Sequence, residues 1–244
     1  MAAALLVPVL LAGCKSVTER SGASFGREEV FGYSVEGRPI RGTVLGSGAD
    51  TILLIGVVHG DETLGQLLLE RLVEHLEQSP RLVGGRTLIV IPVANPDGLE
   101  RGSRSNTRGV DLNRNFPASD WRPGPRSGAF PGSEPEARTL VRLIRQHEPS
   151  RILAIHSPLR MVNYDGPGAE LARAMAETCG YPVTSSVGYP TPGSLGSYAA
   201  GVWETPTITL ELGREVEATD LWPRFRPALE VFIDGRPRAA ETGR

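Results

Sequence analysis

The run Ile52-Leu53-Leu54-Ile55-Gly56-Val57-Val58 carries no polar side chain at any position. A strand that is apolar on both faces has to lie in a sheet covered on both sides, which points to a parallel or mixed α/β sheet. The run ends in His59-Gly60-Asp61-Glu62. An imidazole and a carboxylate three residues apart can converge on one ion, and both are ligand types that zinc accepts. Two ligands do not hold a metal, so a third ligand and a catalytic base have to come from elsewhere in the chain.

The flanking pattern supplies the rest of such a fold. Residues 31–35 and 40–45 read as strands around a Glu36-Gly37 turn. Apolar positions 64, 67, 68, 72, 73 and 76 make a helical stripe over 62–78, and 87–93 is a second buried strand. Residues 94–133 show no period and form a loop of about 40 residues, a length that is usually functional. Ser133-Glu134-Pro135-Glu136 has the Ser-x-x-Glu form of a capping box, with proline in the first turn, and predicts a helix to about His147. A short buried strand over 151–155 ends at His156, a helix covers 169–178, and a Gly/Pro loop at 190–196 precedes a helical piece at 197–203. A strand over 207–211 ends in Glu211, and a closing helix over 218–233 is expected to be interrupted near Pro223 and Pro227. With no repeat, no linker after residue 30 and no second core, the expectation is one α/β domain: a mixed, mostly parallel twisted sheet flanked by helices.

Residues 1–13 are uncharged and nearly all apolar, too short for a permanent bilayer span and suited to a signal peptide. They end in Leu11-Ala12-Gly13-Cys14, which resembles a bacterial lipobox with Cys14 as the lipidated residue; a plain secretory signal or a buried N-terminal strand are the other readings. Residues 14–30 then serve as a tether, 31–235 as the catalytic domain and 236–244 as a polar tail. Lys15 after the cysteine favours the outer membrane, with the body in the periplasm and the lipid its one link to a membrane. If Cys14 is lipidated, Cys179 has no disulfide partner and reads as a small buried apolar residue. A net charge of −2 excludes a general nucleic-acid binder, although residues 100–126 hold six arginines against three acids.

Three expected strands therefore end in polar groups: His59 and Glu62 after the first, His156 after the second, Glu211 after the last. In open α/β sheets the ligand crevice lies at the carboxyl ends of strands, where such residues converge. His59, Glu62 and His156 make the His₂Glu set of a catalytic zinc, and Glu211 is the uncommitted carboxylate that takes a proton from water.

At this point the chain resembles the zinc carboxypeptidases of the carboxypeptidase A superfamily, in their short bacterial branch of murein peptide amidases. The residues that carry the likeness are His59-Gly60-Asp61-Glu62, Asn95-Pro96-Asp97-Gly98, the run from Gly109 to Pro117, Ser133-Glu134-Pro135-Glu136, His156, Thr191-Pro192-Gly193-Ser194 and Leu210-Glu211. The resemblance implies one zinc ion on His59, Glu62 and His156, with Glu211 as the base. It implies that Asn113 and Arg114 hold the free carboxylate of the leaving residue, and that Arg104 stands by the developing oxyanion, with Arg101 and Arg108 as competitors. Asp97 and Asp111 would shape loops and orient ligands. Tyr189 is the candidate for the mobile active-site tyrosine, with Tyr198 its rival. Leu195 and Gly196 would line the leaving-residue pocket, without the acid that an enzyme specific for basic residues would place there. His75 and His147 are read as surface residues. The implied substrate is a murein peptide cut at its γ-D-glutamyl–meso-diaminopimelate bond, by a monomer or weak dimer. The alternatives are a general metallocarboxypeptidase and an N-acyl amino-acid deacylase.

Overall fold

Leu53 and Leu54 are buried on opposite faces of one strand because that strand lies at the centre of an eight-stranded sheet. The computed structural model describes residues 25–235. The expected signal peptide (1–13), the expected lipidation site Cys14, the expected tether up to residue 24 and the tail from 236 lie outside the described residues. Strands β1 (Gly26–Tyr33), β2 (Pro39–Gly46), β3 (Thr51–Ile55), β4 (Thr87–Ile91), β5 (Arg151–His156), β6 (Leu159–Asp165), β7 (Val183–Thr184) and β8 (Thr207–Gly213) stand in the order β1-β2-β4-β3-β5-β8-β6-β7. The β4-β3-β5-β8 centre is parallel throughout, and the sheet is flanked by antiparallel pairings of β1 with β2, β2 with β4 and β8 with β6. The carboxyl ends of β3, β5 and β8 therefore open on one side.

Each central strand divides its side chains between two cores, as period-two geometry requires. Ile52, Leu54, Leu153, Ile155, Ile208 and Leu210 pack beneath helices α1 (Leu64–Gln78), α4 (Ala169–Cys179) and α6 (Ala218–Asp234). Leu53, Ile55, Ile152 and Ala154 pack on the other face beneath α3 (Pro135–His147) and α5 (Leu195–Trp203). Two hydrophobic clusters thus replace the single core expected, one on each face of the same sheet. By the same alternation His156, Thr207, Thr209 and Glu211 belong to the α5 face.

Several expected elements differ in detail. The first strand begins at Gly26, inside the stretch read as tether. The long loop contains a short helix α2 (Pro96–Arg101), capped by the Asn95 side chain accepting from the Gly98 amide at 2.9 Å. The capping box does not form: Glu134 is the N-cap residue of α3 with no side-chain cap, because Ser133 Oγ donates to Glu134 Oε1. Glu136 turns instead to the Val35 amide and the Asn106 side chain. Helix α6 runs unbroken through Pro223 and Pro227, which lie away from the buried Leu221, Phe225, Leu229 and Phe232, so water can reach the carbonyls that lose an amide partner. Strand β6 was not expected at all.

Candidate active site

The loop after β3 is shaped by close backbone approach. A Cβ on Gly60 would lie 2.0 Å from the Gly98 carbonyl carbon, so only glycine lets the loop pass α2. Just before it, Val57 is fully buried with φ +42°, a conformation that few β-branched residues adopt. The Glu62 amide donates to the His59 carbonyl at 3.1 Å, and this turn brings the two side chains to one side. His59 Nδ1 lies 2.8 Å from Glu62 Oε1, His156 Nδ1 lies 2.8 Å from Glu62 Oε2, and the two Nδ1 atoms are 3.1 Å apart. All three residues are buried. A tetrahedral ion with bonds of about 2.0–2.2 Å has edges of about 3.3–3.6 Å, so a few tenths of an ångström of spreading would seat these donors around one, and two neutral imidazoles with one carboxylate are a zinc donor set.

Around this triad stand groups that orient it. His59 Nε2 meets Asp111 Oδ1 at 3.0 Å, and Arg104 bridges Glu62 Oε1 at 3.1 Å and Asp111 Oδ2 at 3.2 Å. The Ser157 amide donates to Glu62 Oε2 at 3.2 Å. Burial alone would raise the Glu62 carboxyl, but the His156 and His59 imidazoles outweigh it and hold Glu62 well below the usual carboxylate range. Asp111 is likewise held far down against its burial, by His59, Arg104 and Arg114.

Glu211 has the opposite environment. It pairs with His156 in the parallel β5–β8 register and accepts one backbone amide, that of Leu159, at 3.4 Å. Burial raises its carboxyl above the usual value, and Glu62 adds to that, with His156 only partly opposing. Two carboxylates at one centre are thus pushed apart, Glu62 to a fixed anion and Glu211 toward taking a proton.

Asn113 and Arg114 lie on the turn after Asp111, whose side chain accepts from the Asn113 amide at 3.0 Å. Asn113 Oδ1 accepts from the Leu195 amide at 2.9 Å, which leaves its two Nδ2 protons for a ligand. Arg114 Nη1 donates to the Asn113 carbonyl at 2.7 Å. Both side chains line one cleft with His59, Glu62, His156 and Glu211.

The structure separates the rival candidates. Arg101 pairs with Glu36 and Arg108 with Glu134, so Arg104 alone of the three meets the triad. The cleft is consequently less basic than its loop: Arg104 and Arg114 line it against Glu62, Asp165 and Glu211. Tyr189 is exposed at the cleft rim, whereas Tyr198 is buried and stacked on Phe116 at 6.1 Å. Leu195 is buried at the cleft wall. His75 is half-buried, bonded to Glu230 at 3.0 Å and edge-on to Trp222, rather than a free surface residue. Cys179 is buried. Asp165 of β6, which the sequence reading does not single out, lines the same cleft beside Gly196. The signal for it is the alternation of Val162 and Tyr164 with Asn163 and Asp165, which marks a strand with one polar face.

A sequence model of the zinc carboxypeptidases matches residues 19–171. Murein peptide amidase A of Escherichia coli is 35% identical over 189 residues, spanning 70% of this chain and 76% of that protein. The crystal structure of a murein-tripeptide amidase from Escherichia coli O157 superposes with a TM-score of 0.69 at 28% identity, covering 87% of this chain and 93% of the other. Carboxypeptidase A from Helicoverpa armigera shares the fold, with a TM-score of 0.76 at 20% identity over 90% of this chain and 70% of that one. Family match, shared fold and a His₂Glu donor set at the strand ends agree: the chain belongs to the zinc carboxypeptidase family of peptide-bond hydrolases.

Proposed function

We propose that this protein is a zinc-dependent murein peptide amidase that hydrolyses the γ-D-glutamyl–meso-diaminopimelate bond. The observation that carries this reading is the 35% identity, over most of both chains, to a protein named murein peptide amidase A. The cleft supports it by holding every group such a hydrolysis needs.

One zinc ion would be held by His59, Glu62 and His156; when bound it supplies Lewis acidity at the scissile carbonyl and lowers the cost of ionising water. Asn113 Nδ2 and the Arg114 guanidinium grip the free carboxylate of the leaving residue, a planar task that guanidinium performs better than ammonium. Arg104 presents its remaining N–H groups to the oxygen that gains charge. Glu211 takes the proton of the attacking water as its oxygen bonds to the carbonyl carbon. As the C–N bond breaks, the same carboxyl returns that proton to the departing nitrogen, so a free carboxylic acid and a free amine result. Leu195 forms the wall beside the leaving residue, and Tyr189 closes the rim. Lipidation at Cys14 would hold the enzyme at the outer membrane, in the periplasm beside the cell wall.

The test is incubation of the purified protein with L-Ala-γ-D-Glu-meso-diaminopimelate, with and without a chelator. Release of diaminopimelate that stops on chelation and returns with zinc supports the reading. Cleavage of α-linked peptide C-termini but not of the γ-linked bond would replace it with a general carboxypeptidase.

A further inference from the structure

We propose that Asn106, gripped by the buried carboxylates of Glu134 and Glu136, is the positioning residue that sets Arg104 against the metal triad. The proposal rests on the amidase reading only for the task given to Arg104, which is to meet the oxygen that gains charge.

Asn106 is 4% exposed, and every polar group it carries is engaged. Its Nδ2 group donates to Glu134 Oε2 at 2.9 Å and to Glu136 Oε2 at 3.3 Å. Its Oδ1 accepts from the Arg108 and Val110 amides, each at 3.1 Å. Carboxylates on one side and backbone amides on the other allow one orientation of the side-chain amide. The backbone of Asn106 closes the same turn, giving its amide to the Val110 carbonyl at 2.9 Å and accepting from the Gly109 amide at 3.0 Å. The turn over 106–110 is thus wound around one side chain. Both carboxylates belong to the start of α3, Glu134 as its N-cap residue and Glu136 in its first turn, on a helix whose Leu140, Leu143 and Ile144 are buried against the sheet. Their other oxygens are held too, Glu134 Oε1 by the Ser133 hydroxyl at 2.7 Å and Glu136 Oε1 by the Val35 amide at 3.2 Å. The anchor is therefore part of the packed scaffold, and the turn is fastened to it.

What hangs from this anchor is Arg104. Just before the turn, its Nε donates to Asp111 Oδ2 at 3.2 Å and its Nη1 to Glu62 Oε1 at 3.1 Å. Asp111, just after the turn, has ties of its own. Its amide donates to the Arg126 carbonyl at 2.9 Å, and its side chain accepts from the Asn113 amide at 3.0 Å. Among the described residues the only backbone bond to Arg104 is the long one its carbonyl accepts from the Gly60 amide, at 3.4 Å. Freeing the turn would therefore release Arg104 and leave Asp111 in place. Taking two carboxylates out of water opposes folding, even with the Arg108 guanidinium 3.5 Å from Glu134. What the pair achieves is placement: a shift of about 1 Å in a group beside the reacting atoms can cost about 10²-fold in rate.

The test is a double-mutant cycle on the zinc-loaded full chain. Asn106→Ala and Glu136→Gln are each made alone and together with Arg104→Ala, and kcat and KM are measured on L-Ala-γ-D-Glu-meso-diaminopimelate. Arg104→Ala should lower kcat about 10²-fold or more. Asn106→Ala should lower kcat about 10- to 10²-fold, with KM within about three-fold and zinc content unchanged. Glu136→Gln removes one acceptor without stranding a charge and should lower kcat about three- to ten-fold; should Asn106→Ala not fold, it decides by the same readouts. In the Arg104→Ala background neither change should move kcat by more than about two-fold, because a residue that acts through Arg104 has nothing left to place. Crystal structures of the same proteins read placement without turnover. The Arg104–Asp111 contact of 3.2 Å should be lost in the variants, while the His59–Asp111 contact of 3.0 Å stays. An Arg104 that keeps its place, or losses that multiply in the double variants, would overturn the proposal. Displacement of Arg104 in a chain that does not cut the γ-linked bond defeats the amidase reading and leaves the positioning role standing. Cleavage of that bond with Arg104 unmoved defeats the positioning role alone.

Discussion

Asp111 Oδ1 lies 3.0 Å from His59 Nε2, and this contact decides which ring nitrogen faces Glu62 and His156. With Nε2–H given to the carboxylate, Nδ1 is the nitrogen whose lone pair is free for a metal. Asp111→Asn keeps the shape but can present its amide to Nε2 and so favour the wrong tautomer. Metal affinity should fall about 10- to 100-fold, read by titration against a competing chelator.

The same contact, with Glu62, makes protons stronger competitors for the metal site. Burial alone would lower the His59 imidazole, but Asp111 and Glu62 outweigh it and raise it above its ordinary value. A raised value means that protons compete for Nδ1 from higher pH than at a free imidazole, near pH 6.5. At fixed free zinc, occupancy should fall as pH is lowered, and the fall should begin at a higher pH than in a variant whose His59 lacks the Asp111 contact, measured by elemental analysis after equilibrium dialysis.

Glu211→Gln should retain zinc and lose about 10²- to 10⁴-fold in kcat, because it removes the proton acceptor without touching the triad. Glu62→Gln should instead lose the metal, since Glu62 joins both imidazoles. Zinc content and single-turnover rate on the same preparations separate the two; equal metal loss in both variants would contradict the division of roles.

Asp97 ties the first hairpin to the active-site loop, accepting from Ser34 Oγ at 2.7 Å, the Glu36 amide at 3.0 Å and Arg38 at 2.7 Å. Burial raises its carboxyl, but these three donors outweigh burial and hold it below its ordinary value. A depressed value means the stabilisation is present above the unfolded value, near pH 3.9, and is lost as pH falls through the folded one. Asp97→Asn should cost about 1–3 kcal/mol at neutral pH, and its gap from wild type in urea melts should narrow below about pH 4.

Tyr198→Ala should destabilise the fold by about 3–5 kcal/mol, since the ring is buried against Phe116. Tyr189→Ala, at an exposed rim position, should shift stability by no more than about 0.5 kcal/mol and alter only turnover or KM. Thermal melts beside kinetics distinguish the two.

The central sheet and the triad were legible because their signals are local. β3, β4 and β5 are short, mostly apolar runs buried on both faces, β8 alternates Ile208 and Leu210 with polar residues, and each candidate ligand or base sits at or near the carboxyl end of one of β3, β5 and β8. Other features depend on partners remote in sequence. The capping box at Ser133 failed because Glu136 finds better partners in Val35 and Asn106. Arg101 and Arg108 left the cleft for Glu36 and Glu134. Helix α6 kept both prolines because its packed face holds it together.

Residues 52–62, with His156 and Glu211, were enough to determine a two-sided α/β sheet and a metal-type donor set at its strand ends, since continuous hydrophobicity and ligand chemistry are properties of the chain itself. The β6 wall of the cleft was decided only by tertiary structure. Strand β6 carries a half-polar pattern too weak to stand alone, and it becomes a strand by pairing with β8. That pairing sets Asp165 beneath Gly196, because hydrogen-bond register, rather than any local signal, places one strand's side chain under another element's missing one.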